Sequence, residues 1–184
     1  MQPDGNVAII KIWDVVVRLT HWTLVASVAL AWLTSEGFGI WHDGIGYLAI
    51  AVAAVRIIWG FAGSKYARFS QFVRSVRHTL TYAGSVIAGK QKRYIGHNPL
   101  AGWMAVALLI MVLLTGATGW LYTTDKYWGV EWVEELHELL AWTMLALIVL
   151  HIIGAIATSL HHKENLVKAM LHGNKRLPKD GDIA

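Results

Sequence analysis

The sequence predicts an all-α integral membrane protein: an up-and-down bundle of four spanning helices, with an amphipathic surface helix between the second and third. Three observations carry that expectation. The 184-residue chain is 55% hydrophobic and only 15% charged, with a mean hydropathy of +0.45, too apolar for a water-soluble domain of this length. Four apolar stretches, Val15 to Leu33, Ile45 to Phe61, Leu100 to Leu121 and Leu139 to Leu160, approach the roughly 20 helical residues that cross about 30 Å of hydrocarbon. The basic residues, finally, gather in alternate loops, which is the positive-inside pattern.

We place the spans at about 14–34, 43–62, 98–122 and 133–160, in a single domain covering residues 1–184. The first stretch is full length and lacks a small-residue cleavage site, so it reads as a retained helix and not as a signal peptide. Lys11 and Arg18 flank its start; Lys65, Arg68, Arg74, Arg77, Lys90, Lys92 and Arg93 follow the second span, and more cations follow the fourth. That arrangement puts both termini and the central loop in the cytoplasm of a bacterial inner-membrane protein. It also accounts for the formal charge of +4, so no nucleic-acid partner is expected.

Between the second and third spans, Phe69, Phe72, Val73, Val76, Leu80 and Ala83 recur at helical spacing, with Arg74 and Arg77 near the other face. The pattern suits a helix lying on the membrane surface. Asn98 then Pro99 supply a capping side chain and a first-turn proline for the third span. Glu131, Glu134 and Glu135 suit the N-terminal end of the fourth helix. Trp41, Trp59, Trp120, Trp128 and Trp132 fall where an aromatic belt is expected.

The chain has no cysteine, which excludes disulfides, iron-sulfur clusters and covalently attached c-type haem. Any metal or haem must then rest on histidine or methionine. Of nine histidines, His21, His42, His137 and His151 fall within or at the edge of the spans. An ionisable side chain in lipid is costly unless paired or turned into the bundle, so these four are functional candidates. His78, His161, His162 and His172 lie outside and are read as solvated or headgroup-facing.

His137 and His151 are fourteen residues apart on one helix, about 40° short of four full turns. They therefore share a face at levels roughly 21 Å apart. The first helix runs outward and the fourth inward. Depth alone then pairs His21 with His151 at the inner level, and His42, just ahead of the second span, with His137 at the outer level. Two imidazoles at one depth suit the axial positions of a non-covalent haem iron, and filling both favours electron transfer over oxygen binding. Two such layers imply two b-type haems. A histidine-lined zinc or copper transporter is the competing reading, weakened by the lack of cysteine or clustered carboxylates in the spans.

Several neighbours stay open between two readings. Gly44, Gly46, Gly116, Gly119 and Gly154 would admit a flat macrocycle, and equally would let helices pack closely. Arg56 shares the face of His42 at the inner level and suits a haem propionate or snorkelling to the surface; Arg18, one turn before His21, has the same two readings. His97 and Asn98 sit at the inner membrane edge, where a quinone ring would need hydrogen-bond or proton partners.

The sequence Arg18-Leu-Thr-His21-Trp22, then His42 with Gly46 and Arg56, then Gly96-His97-Asn98-Pro99-Leu100-Ala101-Gly102-Trp103, then His137 and His151, with the tail His162-Lys-Glu-Asn-Leu-Val-Lys-Ala-Met170 and Gly173, resembles the prokaryotic cytochrome b561 family. The resemblance is nearest to the b-type cytochrome subunits of nickel-iron hydrogenases and related dehydrogenases. It implies two b haems ligated by His21, His42, His137 and His151, and electron exchange between the quinone or quinol pool of a respiratory chain and a partner. Partners so implied are a hydrogenase, a formate dehydrogenase or other molybdenum enzyme, or a periplasmic c-type cytochrome. We expect such a periplasmic redox protein to dock near Asp125, Glu131, Glu134 and Glu135. A self-contained superoxide:quinone oxidoreductase is the alternative, with Lys126 as the basic residue that could attract the anion. A homo-oligomer is compatible with either.

Overall fold

The computed structural model describes residues 9–36 and 39–183. Four helices are long and apolar enough to cross a membrane: α1 (Val15–Leu33), α2 (Gly39–Ala62), α5 (Pro99–Tyr122) and α6 (Glu131–His162). Between α2 and α5 lie α3 (Phe69–Phe72) and α4 (Val76–Ile87), and α7 (Leu166–His172) follows α6. Two short strands, β1 (Ile9–Lys11) and β2 (Asn174–Arg176), pair antiparallel with Ile10 opposite Lys175. The protein is thus an all-α membrane bundle, with one strand pair joining its two terminal segments.

Helix starts follow the expected chemistry. Asp14 caps α1 through Val17 N at 2.8 Å, and Asn98 caps α5 through Ala101 N at 2.8 Å, with Pro99 in the first turn. Asp14 also accepts from Trp59 Nε1 at 3.0 Å and Ser64 Oγ at 2.5 Å, which ties the start of α1 to the end of α2.

Two local expectations need correction. The second helix begins at Gly39, so His42 lies in its first turn and not ahead of it. The single surface helix is two pieces, because Val73 is extended and Ser75 starts a new helix by accepting from His78 N. At that break α5 comes in close: Trp103 Nε1 donates to Arg74 O at 3.0 Å, and a Cβ on Gly102 would lie 2.7 Å from Phe72 O. The second piece stays amphipathic, burying Thr79 and Tyr82 while Val76, Leu80 and Ile87 are exposed on its outer side. The C-terminal tail folds back, with α7 and β2 lying under the bundle.

Packing leaves one side of the bundle open. α1 lies along α2, α2 against α5, and α5 against α6, while α6 makes no comparable backbone approach to α1 or α2. Only 6% of the most apolar stretch of α6 is buried, against 28% for α5. One core, with Ala49, Ala53, Leu109, Val112 and Met144, fills the middle of the bundle. A second, with Ile12, Trp13, Val17, Ile95 and Ala169, seals the end that holds both terminal segments. We call that end the terminal side, and the opposite one the loop side.

Candidate functional site

The open side between α6 and its two missing neighbours is where the intramembrane histidines meet. His21 of α1 faces His151 of α6 with ring centroids 6.5 Å apart, and His42 of α2 faces His137 of α6 at 6.1 Å. The pairs selected by helical rise and depth are the pairs that face each other. A metal between two trans imidazoles, bonded at about 2 Å to each nitrogen, sets the ring centroids roughly 6 Å apart. Among the described residues no group of three or more His, Cys, Asp or Glu side chains could hold a metal ion. A bare tetrahedral ion would lack donors at either level, whereas the planar nitrogen set of a porphyrin supplies what two imidazoles leave open.

The loop-side pair is held in one tautomer. His42 Nδ1 donates to Ala31 O at 2.9 Å, and His137 Nδ1 lies 3.0 Å from Thr115 O and 3.1 Å from Thr118 Oγ1. A carbonyl only accepts, so each Nδ1 carries the proton and each Nε2 keeps a free lone pair, the form in which an imidazole can bind a metal. Gly119 packs against the ring of His137, where a Cβ would come within 3.1 Å of Cε1. Around Gly44, Gly46 and Gly154 an added Cβ would meet open space, as a macrocycle cradle requires, while Gly116 serves helix packing, its Cβ position lying 2.4 Å from Ile50 Cγ1.

The terminal-side pair opens into a cavity of about 690 Å³ lined by His21, His151, His97, Asn98, Arg93 and Lys175 among others. Its volume is in the range of cofactor and small-molecule sites, about 300–1,000 Å³. His21 Nδ1 is buried and has no partner among the described residues. His97 is packed between the tilted rings of Trp13, with centroids 4.7 Å apart, and Phe72, at 4.6 Å, and its Nδ1 is likewise unpartnered among the described residues. Burial, reinforced by Arg56 and Lys175, pushes its pKa down to about 3, so the imidazole is neutral and can donate and accept.

Of the two arginines singled out in the sequence, neither lines the cavity. Arg56 is buried, donates to Ala67 O at 3.2 Å and stacks on Phe69, with Nη1 unpartnered; Arg18 lies against Gly173 with Nε unpartnered. The cations that do line it are Arg93 and Lys175, which sequence reasoning had left among the surface charges. Arg93 donates to Glu164 through Nε at 3.1 Å and Nη2 at 2.6 Å, and to Asp182 at 2.5 Å. Lys175 donates to Ile95 O at 2.9 Å, and burial pushes its pKa down to about 8 against the opposing charge of Glu164. His162, expected to be solvated, lines the same cavity. The signal available in the sequence was faint: Glu164 is an acid set in a basic tail.

The sequence also has counterparts in other proteins. Residues 12–173 match the family described as prokaryotic cytochrome b561. The chain belongs to the prokaryotic cytochrome b561 family. As a b561 protein it is a membrane b-type cytochrome, and b-type haem is the group its facing imidazoles fit. Similar proteins include probable Ni/Fe-hydrogenase B-type cytochrome subunits from Rhizobium leguminosarum bv. viciae (22% identical, covering 93% of this chain and 90% of the relative) and Rhodobacter capsulatus (23%, covering 93% and 83%). A probable Ni/Fe-hydrogenase 1 B-type cytochrome subunit from Escherichia coli K12 is 20% identical, covering 94% of this cytochrome and 93% of the relative. These alignments span 216 to 224 positions, more than the chain has residues, so the relatives carry segments that this b561 protein lacks. No solved structure matches the chain at a significant level.

Proposed function

We propose that this cytochrome holds two b-type haems, one between His21 and His151 and one between His42 and His137, and carries electrons between a quinone and a redox partner protein. The observation that carries the reading is the pair of imidazole gaps, 6.5 and 6.1 Å between centroids, on two levels of one helix. Haem supplies a one-electron iron couple when bound. The chain's own part is to hold the imidazoles and exclude water. His42 and His137 are oriented through their Nδ1 hydrogen bonds, and each imidazole pair would hold one haem by two protein ligands, which suits electron transfer. His137 and His151 are fourteen positions apart on α6, a rise of roughly 21 Å, so the two levels form a path along the bundle.

A quinone is the partner we assign to the terminal side. His97, neutral and with one ring nitrogen unpartnered, lines the same cavity as His21 and His151 and can hydrogen-bond a quinone carbonyl or hold its proton. Asn98 lines it too, its carbonyl already used as the α5 cap.

A protein partner belongs on the loop side, where Asp125, Glu131, Glu134 and Glu135 are exposed and would steer a basic docking patch. The names of the relatives favour a nickel-iron hydrogenase as that partner. The basic segments at the terminal side support cytoplasmic termini and an inner-membrane location.

The test is a reduced-minus-oxidised spectrum and a haem-to-protein ratio for the purified chain and for His21→Ala and His137→Ala. We expect two b haems per chain in the parent and one in each variant. A single haem per chain, or a chain without haem, refutes the reading.

A further inference from the structure

The terminal-side floor of the cavity is built by the C-terminal tail, and it is charged where the other walls, such as Met104, Ala107, Leu147 and Leu150, are apolar. We propose that the carboxylate edge of the group held between His21 and His151 is bound by the tail, through the ammonium of Lys175 and the ring Nε2 of His162. The proposal rests on the reading that a haem lies between those two imidazoles.

Lys175 projects from β2 into the cavity with its side chain 4% exposed. Of its three N–H donors one is spent on Ile95 O at 2.9 Å, and the contact with Gly96 O, at 3.5 Å, is at the limit of a hydrogen bond. Glu164 stands 3.9 Å away but is already gripped by Arg93. Arg93, Lys175 and Arg176 thus gather against Glu164 and Asp182, leaving positive charge in excess where water is scarce. His162 Nε2 is buried, and so are Arg176 Nε, Arg18 Nε and Arg56 Nη1; none has a partner among the described residues. Buried donors and charges are normally paired. A ligand with an apolar body and anionic groups on one edge removes the mismatch, and the two propionates of a b-type haem have that form. Arg93, Lys175 and His162 line the cavity itself, and of these Arg93 is committed to Glu164 and Asp182, which leaves Lys175 and His162 for the ligand. The tail is then a wall of the haem site, docked through β1 pairing and Arg93.

Redox titration of the full haem-loaded chain tests this, with His21→Ala used to identify which haem belongs to the cavity. Lys175→Met should lower the reduction equilibrium constant of that haem about tenfold, a fall of about 59 mV for one electron, and leave the other haem unmoved. Lys175→Arg should stay near the parent. In parallel, apoprotein of the parent chain is loaded with haem or with haem dimethyl ester. The ester should bind the cavity at least tenfold more weakly and the His42–His137 level about as well as haem does; this arm decides if Lys175→Met does not fold. An unmoved potential, or equal uptake of the ester at both levels, overturns the proposal. A parent chain in which no haem depends on His21 overturns the haem reading itself.

Discussion

Arg93 holds Glu164 by two hydrogen bonds, Nε to Oε2 at 3.1 Å and Nη2 to Oε1 at 2.6 Å, across 71 positions of sequence. The side chains are 3% and 8% exposed. This pair, with Asp182 and the strands β1 and β2, fastens the tail beneath the cavity.

Replacing Arg93 by Gln would leave Glu164 and Asp182 without their guanidinium. Loss of one partner of a fully buried pair costs about 3–5 kcal/mol, and a pair that solvent partly screens loses less, toward about 1 kcal/mol. Hydrogen exchange should then show Ile9–Lys11 and Asn174–Arg176 unprotected while α5 and α6 keep their protection. Unchanged strand protection would show that the tail docks without this ion pair.

Acid should release the same segment. Burial alone would raise Glu164 and Asp182, but the Arg93 hydrogen bond holds Glu164, and the Lys179 amide together with Arg93 holds Asp182, below their ordinary values of 4.5 and 3.8. A depressed carboxylate stabilises fully above its unfolded value and loses that contribution as pH falls through its folded value. Trp13, buried in the terminal-side core, reports the change if the other tryptophans are replaced: its emission should shift on acidification below the ordinary carboxylate range, and the shift should be absent in an Arg93→Gln chain whose tail is already free.

His137→Ala should remove the haem of the loop-side level and leave the other bound, read as a halved haem-to-protein ratio. Loss of both haems from a folded chain would mean that the two levels are not independent.

Gly119→Val should act at the same level without touching a ligand. Even a Cβ at this position comes within 3.1 Å of His137 Cε1, and a branched side chain would turn the ring away from Thr115 O. We expect weaker haem retention at the loop-side level, with Gly119→Ala close to the parent; equal retention in the Val variant would show that the ring has room to move.

Gly102→Val is expected to push α3 away from α5. A Cβ there lies 2.7 Å from the carbonyl of Phe72, backbone that a rotamer change cannot clear, and overpacking of this kind costs about 1–3 kcal/mol. A lowered melting temperature with both haems still bound is the expected outcome, and an unchanged melting temperature would contradict it.

How far each feature was legible depends on how local its cause is. His42 pairs with His137, and His21 with His151, at levels given by 1.5 Å of rise per residue, which needs no tertiary information. The break at Val73 to Ser75 was not legible, because the cause is Trp103 and Gly102 arriving from another helix. His162 and Lys175 look like surface residues in a basic tail, and only the fold turns them inward.

By itself, then, the sequence determined the four spans, their alternation and the two histidine levels, because lipid as solvent demands long apolar helices and makes each ionisable group within them conspicuous. The tertiary structure alone decided which side of the bundle stays open, where the cavity lies and which cations line it. Those depend on contacts such as Arg93 with Glu164 and β1 with β2, made between residues far apart along the chain, and such contacts leave no periodic trace in the order of amino acids.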